Sequence, residues 1–171
     1  MQVLFYLSAV VAVLATVLAI TRANAVHALL YLVVSLLAVA VIFFLLGAPF
    51  VAALEVIIYA GAIMVLFVFV VMMLNLGPAS ERQERQWLGT KVWIGPTFLA
   101  AILLLELGYM LAVEGTGVAR GAAEVSPKAV GIALFGPYLL AVELASMLLL
   151  AGLVGAYHLG ARRGAGEEAE P

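Results

Sequence analysis

The chain has 171 residues, of which 67% are hydrophobic and only 11% charged, with a mean hydropathy of +1.24 and a net charge of −2. No soluble domain of this size hides so much apolar surface, so the composition indicates an integral membrane protein. The absence of cysteine excludes disulfides, iron–sulfur ligation and thiolate metal sites within this chain.

The apolar runs are too long for strands and lack period-two alternation. Helices rather than a barrel must therefore satisfy the backbone in lipid. Residues 3–20 form an uncharged first run that stops at Thr21-Arg22. Ala23-Asn24-Ala25 resembles a signal cleavage site, but no lysine or arginine precedes the run, which favours a retained helix. A second run, residues 25–46, has His27 near its start and ends at Gly47-Ala48-Pro49. The third, residues 50–74, reads FVAALEVIIYAGAIMVLFVFVVMML. Crossing a bilayer takes about 20 residues, so this segment spans, with Glu55 inside it. A charge there costs roughly 2.5–3.5 kcal/mol on insertion scales, a cost that a lipid-facing anchor has no reason to carry. Residues 92–113 form the fourth run and carry Glu106, with Pro96 in its first turns. Trp87 and Trp93 flank its start as interface anchors. The last run, residues 129–159, carries Glu143 and is longer than one crossing requires. Gly136-Pro137 divides it, because proline disrupts a helix interior but fits a first turn. Residues 127–135 thus read as a short surface helix and 137–159 as the fifth span.

The fold class expected is an all-α integral membrane protein with five transmembrane helices at about 3–20, 25–46, 50–74, 92–113 and 137–159. Residues 1–160 form a single membrane domain, and 161–171 a polar, disordered tail. With five spans, the first loop, third loop and tail share one side and hold Arg22, Arg82, Arg85, Lys91, Arg162 and Arg163. The other side holds only Arg120 and Lys128. The positive-inside rule places the N-terminus outside and the C-terminus in the cytoplasm. Glu81 and Arg85 in the third loop stand at helical spacing for an ion pair, but a solvated loop is the preferred reading. No loop is large enough for a separate catalytic module.

Three acids lie inside spans: Glu55, Glu106 and Glu143. No intramembrane lysine or arginine is available to pair with them, so each must be protonated, face water or meet a partner on another chain. One reading makes them stations on a proton route. The other makes them donors in interhelical hydrogen bonds. The second suits Glu106, whose surroundings LLLELGY offer no other polar group but Tyr109. Tyr59 lies four residues after Glu55, on the same helical face. Gly61 sits between Ala60 and Ala62 at the centre of the span. Small residues there allow close helix packing. They equally suit a hinge or π-bulge at Tyr59-Ala60-Gly61, and the residues leave both readings open. His27 and His158 read as interfacial rather than metal-bound, since a ligand cluster needs more donors nearby. Met64, Met72 and Met73 read as packing. No Gly-rich phosphate loop, nucleophile triad or haem-type histidine pair is present, and nothing suggests nucleic-acid binding.

The segment EVIIYAGAIMVLFVFVVMML, residues 55–74, resembles the signature third helix of the J subunit (chain 10) family of proton-pumping NADH–quinone oxidoreductase, respiratory complex I. LLAVELASMLLLAGLVGAYHLGAR, residues 139–162, resembles the family's last helix, and KAVGIALFGPY, residues 128–138, its lead-in. Gly136-Pro137 and Ala141-Val142 depart from the polar residue and Pro-Phe pair often found there. The resemblance covers residues 1–160. It implies a membrane-arm subunit of a respiratory-chain translocase in the bacterial inner membrane, close to the quinone-reducing arm. It implies a third helix that switches between π-bulged and regular forms around Tyr59 and Gly61, with Glu55 near the glutamates of the small K subunit. It further implies that this chain carries no redox centre, flavin, iron–sulfur clusters and the NAD site lying in partner subunits. Two alternatives remain: a homologous membrane subunit of a cation–proton antiporter or membrane-bound hydrogenase, and a purely structural membrane scaffold.

Overall fold

The computed structural model of the chain describes residues 2–74, 90–114 and 124–167. All its elements are helical: α1 (Gln2–Thr21), α2 (Ala25–Leu45), α3 (Pro49–Leu54), a π-helical stretch (Glu55–Ile63), α4 (Met64–Leu74), α5 (Thr90–Glu114), α6 (Pro127–Leu134) and α7 (Leu139–Glu167). Among the described residues, five helical stretches are long and apolar enough to cross a membrane: Gln2–Thr21, Ala25–Leu45, Pro49–Met73, Trp93–Ala112 and Leu139–Gly160. The third loop, with the Glu81–Arg85 pairing and Trp87, lies outside the described residues.

The chain forms two compact units, residues 1–125 and 126–171. In the first, α1 and α2 are an antiparallel hairpin. Asn24 caps α2, its side-chain oxygen accepting from the N–H groups of Val26 (2.9 Å) and His27 (3.2 Å), which satisfies donors that the first helical turn leaves free. The other end of α2 closes as a Schellman turn. Ala48 N–H donates to Phe43 C=O and Gly47 N–H to Phe44 C=O, at 3.0 and 3.1 Å. Gly47 takes the left-handed φ of 80° that this turn demands, and Pro49 opens α3 from the first helical position, where its missing N–H costs nothing. The N–H of Val125 donates to the Gly47 carbonyl at 2.8 Å, returning the chain after α5 to this turn.

Helix α5 lies against both α1 and α2. Tyr31 of α2 and Gly95 of α5 approach so closely that a Cβ at Gly95 would collide with the tyrosine hydroxyl. Eleven residues further along α5, Glu106 meets Ser8 of α1. These two contacts, one near the α1–α2 turn and one far from it, make α5 antiparallel to α1. The core between the three helices is Val11, Ala15, Tyr31, Val34, Ala38, Val41, Leu99, Leu103 and Met110.

In the second unit Ser126 caps α6 by accepting from Ala129 N–H at 3.2 Å, with Pro127 at the first helical position. Gly136 follows, and a Cβ there would stand 2.7 Å from the Ile132 carbonyl oxygen, so the turn into α7 needs a residue without a side chain. Helix α7 runs to Glu167, past residue 160 where the composition reads as a polar tail. Alanine and arginine are good helix formers, so the helix does not stop where its hydropathy falls.

Candidate functional site

The third span is not a regular helix. Its α-helical ends flank nine π-helical residues, EVIIYAGAI. At the exit, Met64 N–H still reaches back to the Tyr59 carbonyl, a five-residue step. A π-helix is rare, and where it interrupts an α-helix it concentrates at functional positions. Glu55 is its first residue, Tyr59 its fifth and Gly61 its seventh. A Cβ on Gly61 would lie 3.1 Å from the Val56 carbonyl oxygen, tighter than an ordinary contact. The glycine therefore fits the wide turn without displacing backbone.

The π segment packs chiefly on α2, and its remaining faces are open on this chain. Tyr59 is 49% exposed, and Ile57, Ile58 and Val56 are exposed with it, while Glu55 is half-buried. No hydrogen bond joins Glu55 to Tyr59 among the described residues. Beside the segment lies an apolar cleft of about 690 Å³ between α2, the start of the third span and α5, lined among others by Phe44, Ala52, Val56, Ala100 and Leu104.

Glu106 occupies a different place. It is 4% exposed, and the hydroxyl of Ser8, wholly buried, donates to its Oε2 at 2.7 Å. Its Oε1 has no partner among the described residues. Tyr109, the polar neighbour visible in the local sequence, is exposed. Ser8 is the partner that local sequence reasoning misses, because it lies 98 residues away. Thr16 and Ser35 make a second polar contact between α1 and α2, oxygen to oxygen at 2.7 Å.

Glu143 belongs to the other unit, exposed on α7, where Ser146 donates to its backbone carbonyl at 2.9 Å and not to its carboxyl group. His158 is exposed on the same helix, and His27 is half-buried at the start of α2 with its Nε2 unpartnered. Among the described residues no group of three or more histidines or acids is placed to hold a metal ion. Met64 is buried while Met72 and Met73 are exposed.

The family described as NADH-ubiquinone/plastoquinone oxidoreductase chain 6 matches residues 15–159. A Pseudomonas aeruginosa protein, NADH-quinone oxidoreductase subunit J, is 64% identical over 160 residues, covering 94% of this chain and 96% of that one. The Escherichia coli protein of the same name is 60% identical over 168 residues, covering 98% and 90%. One from Buchnera aphidicola is 52% identical over 161 residues, covering 94% and 98%. The family description carries the number 6 where the resemblance carries 10, and subunit J is the designation its relatives share. By this match and these identities, the membrane chain belongs to the chain 6, or J-subunit, family of NADH–quinone oxidoreductase.

Proposed function

We propose that this chain is a membrane-arm subunit of a proton-translocating NADH–quinone oxidoreductase, and that it couples electron transfer in partner subunits to proton movement without a redox centre of its own. The flavin and iron–sulfur clusters belong to those partners. The observation that carries this reading is the π-helical stretch in the third span, with an acid at its first residue. In an α-helix each residue advances the chain by about 100° and 1.5 Å. Losing one residue of π register therefore turns everything beyond it by about 100°, without breaking the helix. Gly61 tolerates both forms, α2 supports one side, and the cleft beside Val56 gives side chains room to turn into. Glu55 and Tyr59 sit on the moving segment, so a rotation changes what they face. Glu143 and Glu106 are further groups able to take and release protons. The exposed faces of the third span suit other membrane helices, among them the small K subunit and the quinone-junction subunit. The name its relatives bear favours this reading over an antiporter or hydrogenase subunit.

Replacing Glu55 with glutamine keeps the volume and removes titration. The expected outcome is an assembled complex whose proton yield per NADH is lowered. The yield is read from pH changes outside vesicles during a measured pulse of NADH. A yield equal to that of the unaltered complex, in Glu55→Gln and in the Glu55→Gln/Glu143→Gln pair, would remove both acids from the route.

The orientation follows from the six-to-two bias of basic residues and is also a proposal. A reporter fused after Arg163 should be cytoplasmic, and one inserted within residues 115–124 should be outside. Both reporters on one side would refute five spans in this order.

A further inference from the structure

The apolar cleft beside the π segment has a shape that limits what it can hold. Its wall runs from Leu37 to Phe44 on α2, from Thr97 to Leu107 on α5 and from Pro49 to Val56 on the third span. Helices α2 and α5 both run antiparallel to α1, so Leu37 and Thr97 stand at one end, Phe44 and Leu107 at the other. Phe44 is the residue before the end of α2, and Pro49 follows the Gly47 turn. One end of the cleft therefore lies at the level where α2 leaves the bilayer. Ten residues along α5 give a length of about 15 Å, half of the ~30 Å hydrocarbon thickness. The cleft is a slot running down one leaflet, from the turn to the middle of the membrane.

Among the described residues, Thr97 is the only lining side chain with a polar group. The slot offers nothing to a charged or hydrogen-bonding ligand. Small side chains create the space, for Ala40, Ala52, Ala53, Ala100 and Ala101 all face it. A volume of about 690 Å³ over that length leaves a channel less than about 8 Å wide, whereas a helix with its side chains is about 10–12 Å across. A partner helix cannot enter; it can reach in only with single side chains. A hydrocarbon chain is narrow enough, has the length of one leaflet, and is what the bilayer supplies at the mouth. Passing from bilayer to slot it gains no hydrophobic free energy, since both surroundings are apolar. What it gains is dispersion contact with walls on three sides.

We infer that the slot binds an acyl chain of a membrane phospholipid, with the headgroup at the level of the Gly47 turn, and that the bound chain holds the third span in its π form. Val56 joins the two halves of this inference. It lines the slot, and its carbonyl oxygen is the atom that a Cβ on Gly61 would meet. The second half rests on the proposed change of register. Side chains turned by that change need the space that the acyl chain fills, so chain and regular helix compete. A ligand shifts such an equilibrium only through its different affinity for the two forms, and here the forms differ in the wall around Val56.

The test uses the assembled complex in vesicles of phosphatidylethanolamine and phosphatidylglycerol. A tracer phospholipid carries a photoreactive diazirine either near the start or at the end of one acyl chain, and adducts are located by mass spectrometry of peptides. Val41 and Leu103, both buried, form the floor of the slot, out of reach of lipid passing outside. The tracers should label this floor, the near-start probe towards Phe44 and Leu107 and the end probe towards Leu37 and Thr97. Ala53 and Ala101 are exposed and line the slot. Ala53→Leu/Ala101→Leu should lower floor labelling by about 5-fold or more, the effect of overpacking the site, while lipid-facing peptides elsewhere in the complex keep theirs. If the pair does not assemble, Ala101→Leu alone carries the same expectation. An unlabelled floor in the native complex overturns the site and shows side chains of a partner to fill it; undiminished labelling in the filled variant overturns it as well. Floor labelling should also fall during NADH-driven turnover, and equal labelling at rest and in turnover overturns the hold on the π form. These readings come from labelling and not from pumping. An unlabelled slot leaves the proposed function standing, and a Glu55→Gln complex with full proton yield leaves the slot standing.

Discussion

Gly61→Val should give an assembled complex that oxidises NADH poorly and pumps little. The Cβ position at Gly61 is 3.1 Å from the Val56 carbonyl oxygen, and valine adds two methyl groups beyond it. Overpacking of this kind costs about 1–3 kcal/mol. The penalty falls on the wide π turn that brings Val56 O close. It therefore biases the span towards the regular helix by about 5- to 150-fold. Valine is also stiff at χ1 in a helix, which slows rearrangement. Gly61→Ala, with the Cβ alone, should lie between valine and the native residue. If the glycine served only close packing, Gly61→Val would instead lower the amount of complex, with normal turnover in whatever assembles. The deciding quantity is coupled activity per complex, with assembly measured separately on a native gel. Full coupled activity in a fully assembled Gly61→Val complex contradicts the switch.

Removing the Ser8 hydroxyl should harm the protein more than removing the acid it serves. An interhelical hydrogen bond in a membrane contributes about 0.6 kcal/mol on average. Leaving a buried polar group unpaired costs about 1–3 kcal/mol, and more for a charged one. Ser8→Ala leaves Glu106 buried among Leu99, Leu103 and Met110 with neither oxygen satisfied by this chain. In Glu106→Leu, Ser8 can turn its hydroxyl to a carbonyl of its own helix. The double variant Ser8→Ala/Glu106→Leu should recover most of the loss, since replacing both partners with apolar groups is nearly neutral. The comparison is the thermal midpoint of the complex across the four members of the cycle. Strictly additive midpoints would mean that the 2.7 Å contact does no energetic work.

The helices were legible because length and hydropathy suffice to mark a span. The reading of 3–20, 25–46, 50–74 and 92–113 meets helices beginning or ending within two residues of those limits. Turn chemistry was legible too: Gly47-Ala48-Pro49 and Gly136 act as sequence signals of that kind should, whereas the Asn24 cap was hidden within a cleavage-like Ala23-Asn24-Ala25. The third span was legible only as a choice. Glycine beside alanines serves packing and a π turn alike, and only the backbone distinguishes them. The π stretch starts at Glu55, six residues before the glycine that marks the centre of the span. The Ser8–Glu106 pair was hidden for a different reason. Local sequence shows what lies on one helix face, whereas this contact depends on which faces of α1 and α5 meet. Helix α7 runs beyond its apolar stretch to Glu167, because hydropathy marks where a helix leaves lipid, not where its hydrogen bonding ends.

The central claim is that the segment Glu55–Ile63 changes register while the enzyme works. The most direct measurement is a high-resolution map of the assembled complex, trapped at rest and during NADH-driven turnover, with backbone hydrogen bonds traced through these nine residues. The account predicts five-residue steps in one state and four-residue steps in the other, with side chains beyond the switch point turned by about 100° between them. The same hydrogen-bond register through Glu55–Ile63 in both states would contradict it.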